Sequence, residues 1–335
     1  MLKTPLCDLF GIDVPIILAP MGSCSSAEFA AAVSNEGGLG SIGTLLRSTA
    51  AVKRDIDAVK TLTKRPIAIN HIPQTIDVEA FRFTLTARPR VISFALADPG
   101  DLVRQAHEAG SLAMMQVTTV TQAVQAAERG FDVIVAQGGE SGGYGGDVGT
   151  MALVPQVVDA VSPIPVVASG GIFDGRGIAA ALMLGAVGVN LGTRFIASKE
   201  APASDEWKRA ITSAASEGTI KADVINDIRP LPGTAGYGTV LRTLRTAFLD
   251  EWSPKREEAR RDRDRLRAQM SAATKAGRQY EYVLTAGQSA GGINEILSVA
   301  EIMRRLVAET EAALLSAPAP VGASSEGERV KAARA

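Results

Sequence analysis

The chain has 335 residues, of which 46% are hydrophobic, so it can bury a large core. Lysine and arginine number 35 against 36 aspartates and glutamates, which excludes a global field that would attract nucleic acid or an anionic membrane. Cys7 and Cys24 have no metal or disulfide spacing, so a reduced, cytoplasmic location is expected. No stretch predicts a signal peptide, and no run of about 18 apolar residues predicts a bilayer span.

Short apolar runs recur along the first 191 residues, and helical patterns lie between them. Each run has the length and the continuous apolar character of a buried parallel strand. The predicted strands are residues 15–19, 39–43, 66–70, 91–95, 112–117, 132–136, 166–168 and 187–191. The predicted helices are residues 27–35 after the N-cap Ser26, 49 to about 64, 98–110, 119–129 and 174–184.

Eight strands with intervening helices predict an α/β fold, namely a (β/α)8 TIM barrel. The rival arrangement is a doubly wound open sheet. That fold would need a dinucleotide-binding glycine fingerprint after the first strand, and residues 19–22 (Ala-Pro-Met-Gly) do not have it. The pattern therefore favours the barrel.

The regular alternation stops after residue 195. Helices are predicted at residues 205–216 and 240–252, at the charged stretch 255–270 with a solvated face, and at the amphipathic stretch 293–315. The predicted domains are a barrel over residues 1–199, a mostly helical insertion or lid over 200–285, a segment over 286–316 that returns to the barrel, and a disordered tail over 317–335.

Two glycine turns follow the seventh and eighth predicted strands. Gly170 and Gly171 come after Ser169, and Gly192 comes before Thr193; all five are candidate cofactor-binding residues. Turns of this kind can aim several backbone N–H groups at one anion, and a helix N-terminus adds its dipole. The alternative is that the glycines only make tight turns. Two such turns one helix apart favour the phosphate site that barrels build after these two strands.

Other strand ends supply amides and apolar groups rather than acids or bases. Candidate cofactor-binding residues at these ends are Ala19, Pro20, Met21, Asn70, Gln116 and Gln137. Amides can hydrogen-bond the edge of a heteroaromatic ring without ionising, and apolar groups can cover its face. No spacing of ligands predicts a metal, and no serine, histidine and acid are arranged for acyl transfer. With the phosphate turns, this set predicts a flavin mononucleotide (FMN) site.

Five motifs carry a family resemblance across roughly residues 5–310. They are PIILAPM (15–21), AIN (68–70), AQGGESGGYGG (136–146), SGGIFDGRGIAAALMLGAVGVNLGTRF (169–195) and GQSAGGI (287–293). The set resembles the nitronate monooxygenase family, formerly called 2-nitropropane dioxygenases. The resemblance implies a (β/α)8 barrel with non-covalent FMN that oxidises alkyl nitronates with O2. Flavin enoyl-thioester reductases and NAD(P)H:quinone reductases share this scaffold.

The resemblance also implies roles for individual residues. FMN phosphate would be held by Gly170, Gly171, Gly192 and Thr193. The flavin ring would be contacted by Met21, Asn70 and, near the substrate, Gln137, with Gln288 and Ser289 close by from the last segment. Ser289 could equally be an ordinary turn residue.

Tyr144 is a departure from the family, which normally has a histidine there as catalytic base or substrate hydrogen-bond donor. A phenol with a pKa of about 10 is a poor base at neutral pH, but a nitronate that is already ionised needs none. Tyr144 could instead donate a hydrogen bond or protonate a carbanion, or only pack over the flavin edge. His71 could replace the missing base, or be a turn histidine bound to the backbone. Both alternatives stay open.

The sequence therefore predicts an FMN-dependent oxidoreductase that acts on alkyl nitronates or similar stabilised carbanions with O2. The alternative is an NAD(P)H-dependent quinone or enoyl-thioester reductase or dehydrogenase, which Tyr144 favours. A non-enzymatic barrel would need neither the glycine turns nor three strand-end amides. The expected partners are a small-molecule substrate and either O2 or NAD(P)H, with a homodimer as one option for the assembly.

Overall fold

The structure is a computed structural model that describes residues 2–231 and 240–316. Its strands, in chain order, are β1 (Ile16–Leu18), β2 (Gly40–Gly43), β3 (Ile67–His71), β4 (Val91–Phe94), β5 (Leu112–Val117), β6 (Val133–Gln137), β7 (Gly143–Gly145), β8 (Val166–Ser169), β9 (Gly188–Leu191), β10 (Thr219–Lys221) and β11 (Val240–Leu244). All eight predicted barrel strands are present, each within two residues of its predicted bounds.

Eight parallel strands form the barrel, in the order β1-β9-β8-β6-β5-β4-β3-β2. The two outermost strands of this order meet through a parallel bridge between Ile17 and Leu39. The N–H of Leu18 also donates to the carbonyl of Leu39 at 2.9 Å. The predicted (β/α)8 barrel is therefore confirmed.

Helices surround the barrel and fill the region after it. They are α1 (Pro5–Phe10), α2 (Ala27–Asn35), α3 (Thr49–Leu62), α4 (Val78–Ala87), α5 (Leu102–Glu108), α6 (Val120–Glu128), α7 (Thr150–Val161), α8 (Gly175–Met183), α9 (Thr193–Ile196), α10 (Asp205–Thr212), α11 (Asp223–Ile228), α12 (Ala247–Trp252), α13 (Arg256–Arg261), α14 (Arg263–Lys275) and α15 (Val299–Leu315). The predicted cap Ser26 accepts from the N–H of Phe29 at 3.2 Å. None of the described helices is long and apolar enough to cross a membrane.

Helix α1 closes the amino-terminal end of the barrel. Its Leu6, Cys7 and Phe10 are buried against side chains that point into the barrel. Leu6 lies beside Gly188, the first residue of β9. The inward side chains of this cluster are Ile17, Leu39, Ala68, Val91, Met114, Val133, Val135 and Val167. The barrel thus has an apolar floor, and its other end, where the strands finish, is left for polar groups.

A small antiparallel sheet connects residues 200–285, called the insertion here, to the barrel mouth. In this sheet β11 pairs with β10 and with β7, and β7 belongs to the loop after β6. The apolar core of the insertion, called the lid cluster, is formed by Ala222, Val224, Ile225, Ile228, Leu241, Leu249, Ala259, Leu266 and Met270. The predicted "mostly helical" insertion therefore also contains strands.

The prediction of one helix over residues 240–252 is wrong in its first half. Val240–Leu244 is strand β11, and only Ala247–Trp252 is helical. Two elements meet at Thr246, whose side chain accepts from the N–H of Leu249 at 3.3 Å and so begins a new helix. Strand pairing on both sides of β11 outweighs the local helical pattern.

Three further helices differ from their predicted bounds. The helix predicted at 205–216 ends at Thr212, and the one predicted at 255–270 breaks at Asp262 into α13 and α14. The helix predicted at 293–315 begins only at Val299, where Ser298 caps it by accepting from the N–H of Glu301. The predicted tail, residues 317–335, lies outside the described residues.

Candidate active site

The three predicted amides lie together inside the barrel at its carboxyl-terminal end, called the mouth here. Asn70 is buried, and its Nδ2 donates to Ser93 Oγ at 3.1 Å. Gln116 Nε2 donates to the Oε1 of buried Gln137 at 2.9 Å. Paired residues of neighbouring strands face the same side of the sheet. Gln116, for example, pairs with Val135, whose side chain points into the barrel, so Gln116 also points inward.

Further polar side chains at the mouth escaped the sequence predictions. Ser41, Ser93 and Asn190 occupy inward positions of β2, β4 and β9 and are buried. Within the described residues, Ser41 Oγ, Ser141 Oγ and Asn190 Oδ1 have no hydrogen-bond partner. A buried polar atom without a partner is unfavourable, so a polar ligand at this end of the barrel would satisfy groups that the protein leaves unpaired. In the sequence, each of these three residues is a polar residue at an inward position of a mostly apolar strand. That pattern could have identified them.

The turn after β8 can be made only by glycine without strain. Gly170 has φ +103° and Gly171 has φ +73°, a region that residues with a side chain rarely adopt. A Cβ on Gly170 would also lie 2.9 Å from the carbonyl oxygen of Gly138. Ser169 Oγ donates to the carbonyl of Asn190 at 2.9 Å, which ties this turn to the end of the neighbouring strand β9.

Four backbone N–H groups of the two glycine turns are free for a ligand. Those of Gly170, Gly171, Gly192 and Thr193 donate no hydrogen bond to any described residue. The N-terminus of α8 is different. Its Gly175 N–H donates to Glu309 Oε2 and its Gly177 N–H to Asp174 Oδ1, each at 3.0 Å. Two carboxylates therefore already occupy the positive end of this helix dipole. A phosphate would be bound by the turn amides instead.

The residues after the first strand lie beside the second glycine turn. The Ala19 N–H donates to the carbonyl of Leu191 at 2.9 Å. A Cβ on Gly192 would be 3.6 Å from both the Ala19 Cβ and the Met21 sulfur. Ala19, Pro20 and Met21 are all partly exposed. They therefore form one edge of the mouth, and their role in covering the face of a ring stays a prediction.

The segment after the insertion packs onto both sides of the candidate site. The Gly287 N–H donates to Thr193 Oγ1, and the Gln288 N–H donates to the carbonyl of Glu140, each at 2.9 Å. Ser289 is buried next to them. Gln288 and Ser289 are thus held between the turn after β9 and the loop after β6, close to the predicted cofactor residues.

Glu140 shapes the loop after β6 and was not predicted. Its carboxylate accepts from the Thr150 N–H at 3.0 and 2.9 Å and from Thr150 Oγ1 at 2.9 Å. Thr150 is the first residue of α7, where an acidic group is favourable. The charge of Glu140 is therefore used to cap this helix, and the loop that carries Tyr144 is held against it.

Tyr144 bridges the insertion and the barrel. Its backbone pairs with Leu241 in the small sheet, and its ring packs against both the lid cluster and the buried residues Ile72, Ala95 and Leu96. Burial raises the pKa of the Tyr144 phenol, and the positive charge of Arg229 opposes this only in part. At neutral pH the phenol is therefore protonated, so it can donate a hydrogen bond but cannot act as a base.

His71 does not reach the mouth. Since Asn70 points inward, the next residue of the strand points outward. The His71 ring packs edge-on against Phe81 at 5.1 Å, and its Nε2 lies 3.0 Å from Thr84 Oγ1. Burial lowers its pKa to about 4. The structure thus places His71 in the barrel wall, a position that favours neither the base nor the backbone-bound turn histidine considered from the sequence.

Replacing His71 with glutamine should change stability rather than chemistry. The unfolded chain binds the proton below about pH 6.5 and the folded chain only below about pH 4, so stability should rise with pH across this window. The expected rise is about 3 kcal/mol, and His71→Gln should remove it in urea denaturation measured at several pH values. Catalytic turnover should be unchanged. A variant that folds normally but has lost turnover would instead make His71 the base.

Cys24 is a core residue rather than a reactive thiol. It is buried, and burial raises its pKa to about 12. The described residues contain no cluster of three histidine, cysteine or acidic side chains that could hold a metal ion.

The fold and the mouth together define a class of protein. It is a TIM barrel with its polar groups at the carboxyl ends of the strands, where the active sites of such barrels lie. A model of the family "Nitronate monooxygenase" matches residues 3–79 and 71–309. The chain belongs to the nitronate monooxygenase family, which is a family of flavin-dependent oxidoreductases. The finding confirms the resemblance seen in the sequence motifs.

Three comparisons show what the chain is similar to. It is 37% identical over 222 residues to (3aS,4S,5R,7aS)-5-hydroxy-7a-methyl-1-oxo-octahydro-1H-indene-4-carboxyl-CoA dehydrogenase of Mycobacterium tuberculosis, over 65% of this chain and 62% of that protein. The chain thus spans less than two thirds of that dehydrogenase. It is 33% identical to a probable nitronate monooxygenase of Staphylococcus haemolyticus, over 64% of this chain and 73% of that protein. The structure of FabK from Thermotoga maritima has a TM-score of 0.84 and 30% identity, over 94% of this chain and 98% of that one.

Proposed function

We propose that the protein binds FMN and oxidises alkyl nitronates, or similar stabilised carbanions, with dioxygen as the electron acceptor. One observation carries the proposal. The mouth combines free turn amides with neutral side-chain amides, while the only predicted bases are a protonated tyrosine and a histidine in the wall. A site of this kind suits a substrate that arrives already ionised. Membership of a flavin-dependent family supports the proposal.

The residues at the mouth fit FMN in two respects. The free N–H groups of Gly170, Gly171, Gly192 and Thr193 would hold the phosphate, since backbone amides at such turns favour anions. The inward amides of Asn70, Gln116 and Gln137 would hydrogen-bond the polar edge of the ring system. When bound, FMN would supply the redox chemistry by accepting electrons from the substrate and returning them to dioxygen.

Tyr144 would orient the substrate rather than deprotonate it. General base catalysis works best with a group whose pKa is near the working pH, and burial has moved this phenol further from that range. Its O–H can donate to an oxygen of the nitronate group. The neighbouring apolar residues Ile72 and Leu96 exclude water from the same side of the mouth.

A second candidate function is that of a thioester or NAD(P)H-dependent reductase or dehydrogenase. Tyr144 favours it because a protonated phenol can deliver a proton to a carbanion next to a carbonyl group. The similarity to a carboxyl-CoA dehydrogenase also supports this candidate. Nitronates and thioester enolates are both planar stabilised carbanions, so one pocket could accept either.

Anaerobic mixing separates these functions. Propyl-2-nitronate at pH 7 should bleach the flavin roughly 100-fold or more faster than neutral 2-nitropropane, because a positioned general base contributes about 10²- to 10⁴-fold and neither Tyr144 nor His71 can serve as one. Tyr144→Phe should keep FMN and slow bleaching by the nitronate by roughly 10- to 150-fold, the value of one hydrogen bond to a charged group.

Two results would contradict the proposal. Equal rates with the ionised and neutral substrates would show that a base operates at the mouth. Bleaching by NADPH or NADH alone, or by an acyl-CoA with loss in Tyr144→Phe, would establish the second candidate instead.

A further inference from the structure

An apolar wall lines the mouth across from the glycine turns. We call it the rim cluster: buried Ile72, Ala95 and Leu96, with partly buried Leu45, Tyr144 and Leu231 packed on them. The buried residues of this wall follow strands β3 and β4. In the eight-strand barrel β3 is four places from β8 and β4 is four places from β9, so the wall lies opposite the two glycine turns. Buried Leu96 has φ +68°, a strained backbone that persists only where the surroundings fix it, typically at functional sites.

Arg229 is close in sequence to this wall and has no acidic partner among the residues that the structure describes. It follows α11 and comes two residues before Leu231, which belongs to the rim cluster. Its side chain is partly buried, and its Nη2 donates to Ser271 Oγ at 3.2 Å. In the part of the chain that the structure describes, Arg229 forms no ion pair; nearby Asp227 is engaged by Arg256 and Arg260. Such a partly buried cation favours an anion.

The charged and titratable groups near Arg229 also support binding of an anion there. Burial lowers the pKa of the Arg229 guanidinium, and the nearby positive charge of Arg267 lowers it further. The charge of Arg229 in turn opposes the rise that burial causes in the pKa of the neutral Tyr144 phenol. Arg267 is occupied, since its Nε contacts the carbonyl of Ile228 and its Nη1 lies 3.6 Å from Asp264. Of these two arginines, Arg229 is therefore the one that forms no ion pair with a described residue.

We propose that Arg229 selects substrates by pairing with their negatively charged planar group, while the rim cluster receives their alkyl chain. The inference rests on the proposed function and narrows it to anionic substrates with a short apolar tail. A guanidinium group presents two parallel N–H donors, which match the two oxygens of a nitronate as they match those of a carboxylate. Tyr144 would donate to one of the same oxygens.

A stable carboxylate can test this pairing without turnover. Butanoate has two oxygens in a plane and a short alkyl chain, and its binding to the flavin-loaded protein can be followed by the flavin absorbance. Arg229→Gln should weaken butanoate binding by roughly 10- to 150-fold, the range for charge-assisted hydrogen bonds, and leave the binding of neutral butanamide unchanged. Arg229→Lys, which keeps the charge but loses the fork, should recover part of the affinity.

Arg278→Gln is the matched control. Arg278 is an exposed arginine of the insertion that pairs with Glu281, so its loss should leave butanoate binding unchanged. With propyl-2-nitronate, Arg229→Gln should raise KM by a similar factor while kcat and flavin content stay near those of the parent protein.

The outcomes separate this inference from the proposed function. A parent protein that no nitronate bleaches would refute the proposed function, whatever butanoate does. Bleaching with an unchanged KM in Arg229→Gln would overturn the role of Arg229 alone. That role would also be overturned if the parent protein does not bind butanoate, or if butanoate and butanamide lose affinity equally.

Discussion

Replacing Gly171 with valine should lower the affinity for FMN by about 100- to 1,000-fold. Gly171 has φ +73°, so valine would force the turn after β8 to shift and move its N–H groups away from the phosphate. Each charge-assisted hydrogen bond contributes about 1.5–3 kcal/mol, so the loss of two bonds near the lower end of that range, about 3–4 kcal/mol in all, corresponds to this factor. The measurement is the dissociation constant of FMN from the apoprotein, obtained by quenching of flavin fluorescence. Riboflavin, which has no phosphate, should bind the variant and the parent equally.

Two other glycines supply the controls. Gly130 has φ +82° with no atom within 4 Å of an added Cβ, so Gly130→Val carries the same backbone strain far from the mouth. Gly192 has φ −106°, so Gly192→Ala is unstrained and would report only the close approach of the cofactor. If Gly171→Val binds FMN as tightly as Gly130→Val, the phosphate does not sit on this turn.

Replacing Phe10 with alanine should cost about 3–5 kcal/mol of unfolding free energy, the range for a large aromatic lost from a core. Phe10 is 0% exposed on α1 and belongs to the apolar floor of the barrel. The cavity left behind would be bounded by strand residues that cannot move closer without disturbing the barrel. Equilibrium denaturation in urea gives the free energy.

Phe83→Ala is the comparison on the outside of the barrel. Its ring is partly exposed, with the Nζ atoms of Lys53 and Lys60 at 5.1 and 5.8 Å from the ring centroid. A loss of about 1 kcal/mol is expected there. Equal losses in the two variants would mean that α1 is not part of the core.

Most of the barrel could be predicted because buried parallel strands are continuous apolar runs, which local sequence displays. Helix α1 was missed because PLCDLF is too short to show a helical period, and its place depends on the barrel floor. Strand β11 was predicted as helix because its partners β7 and β10 are not adjacent to it in sequence. The cap at Thr246 was the local signal that two elements meet there.

The site could be predicted where a functional group directly ends a strand. Asn70 and Gln137 are such residues, and both lie inside the mouth. His71 could have been placed by the same rule, since alternate residues of a strand face opposite sides and Asn70 already takes the inward one. Arg229 carried no such signal, because it follows a short helix of the insertion and its proposed role depends on how the nearby Leu231 packs in the rim cluster.

A crystal structure of the protein grown with FMN tests the proposed cofactor site most directly. The phosphate should lie on the turn amides after β8 and β9, and the flavin ring should lie across the mouth beside Asn70 and Gln137. We expect phosphate oxygens at about 3 Å from the backbone nitrogens of Gly171 and Thr193. A phosphate bound elsewhere, with these nitrogens facing only solvent, would contradict this placement and the function proposed from it.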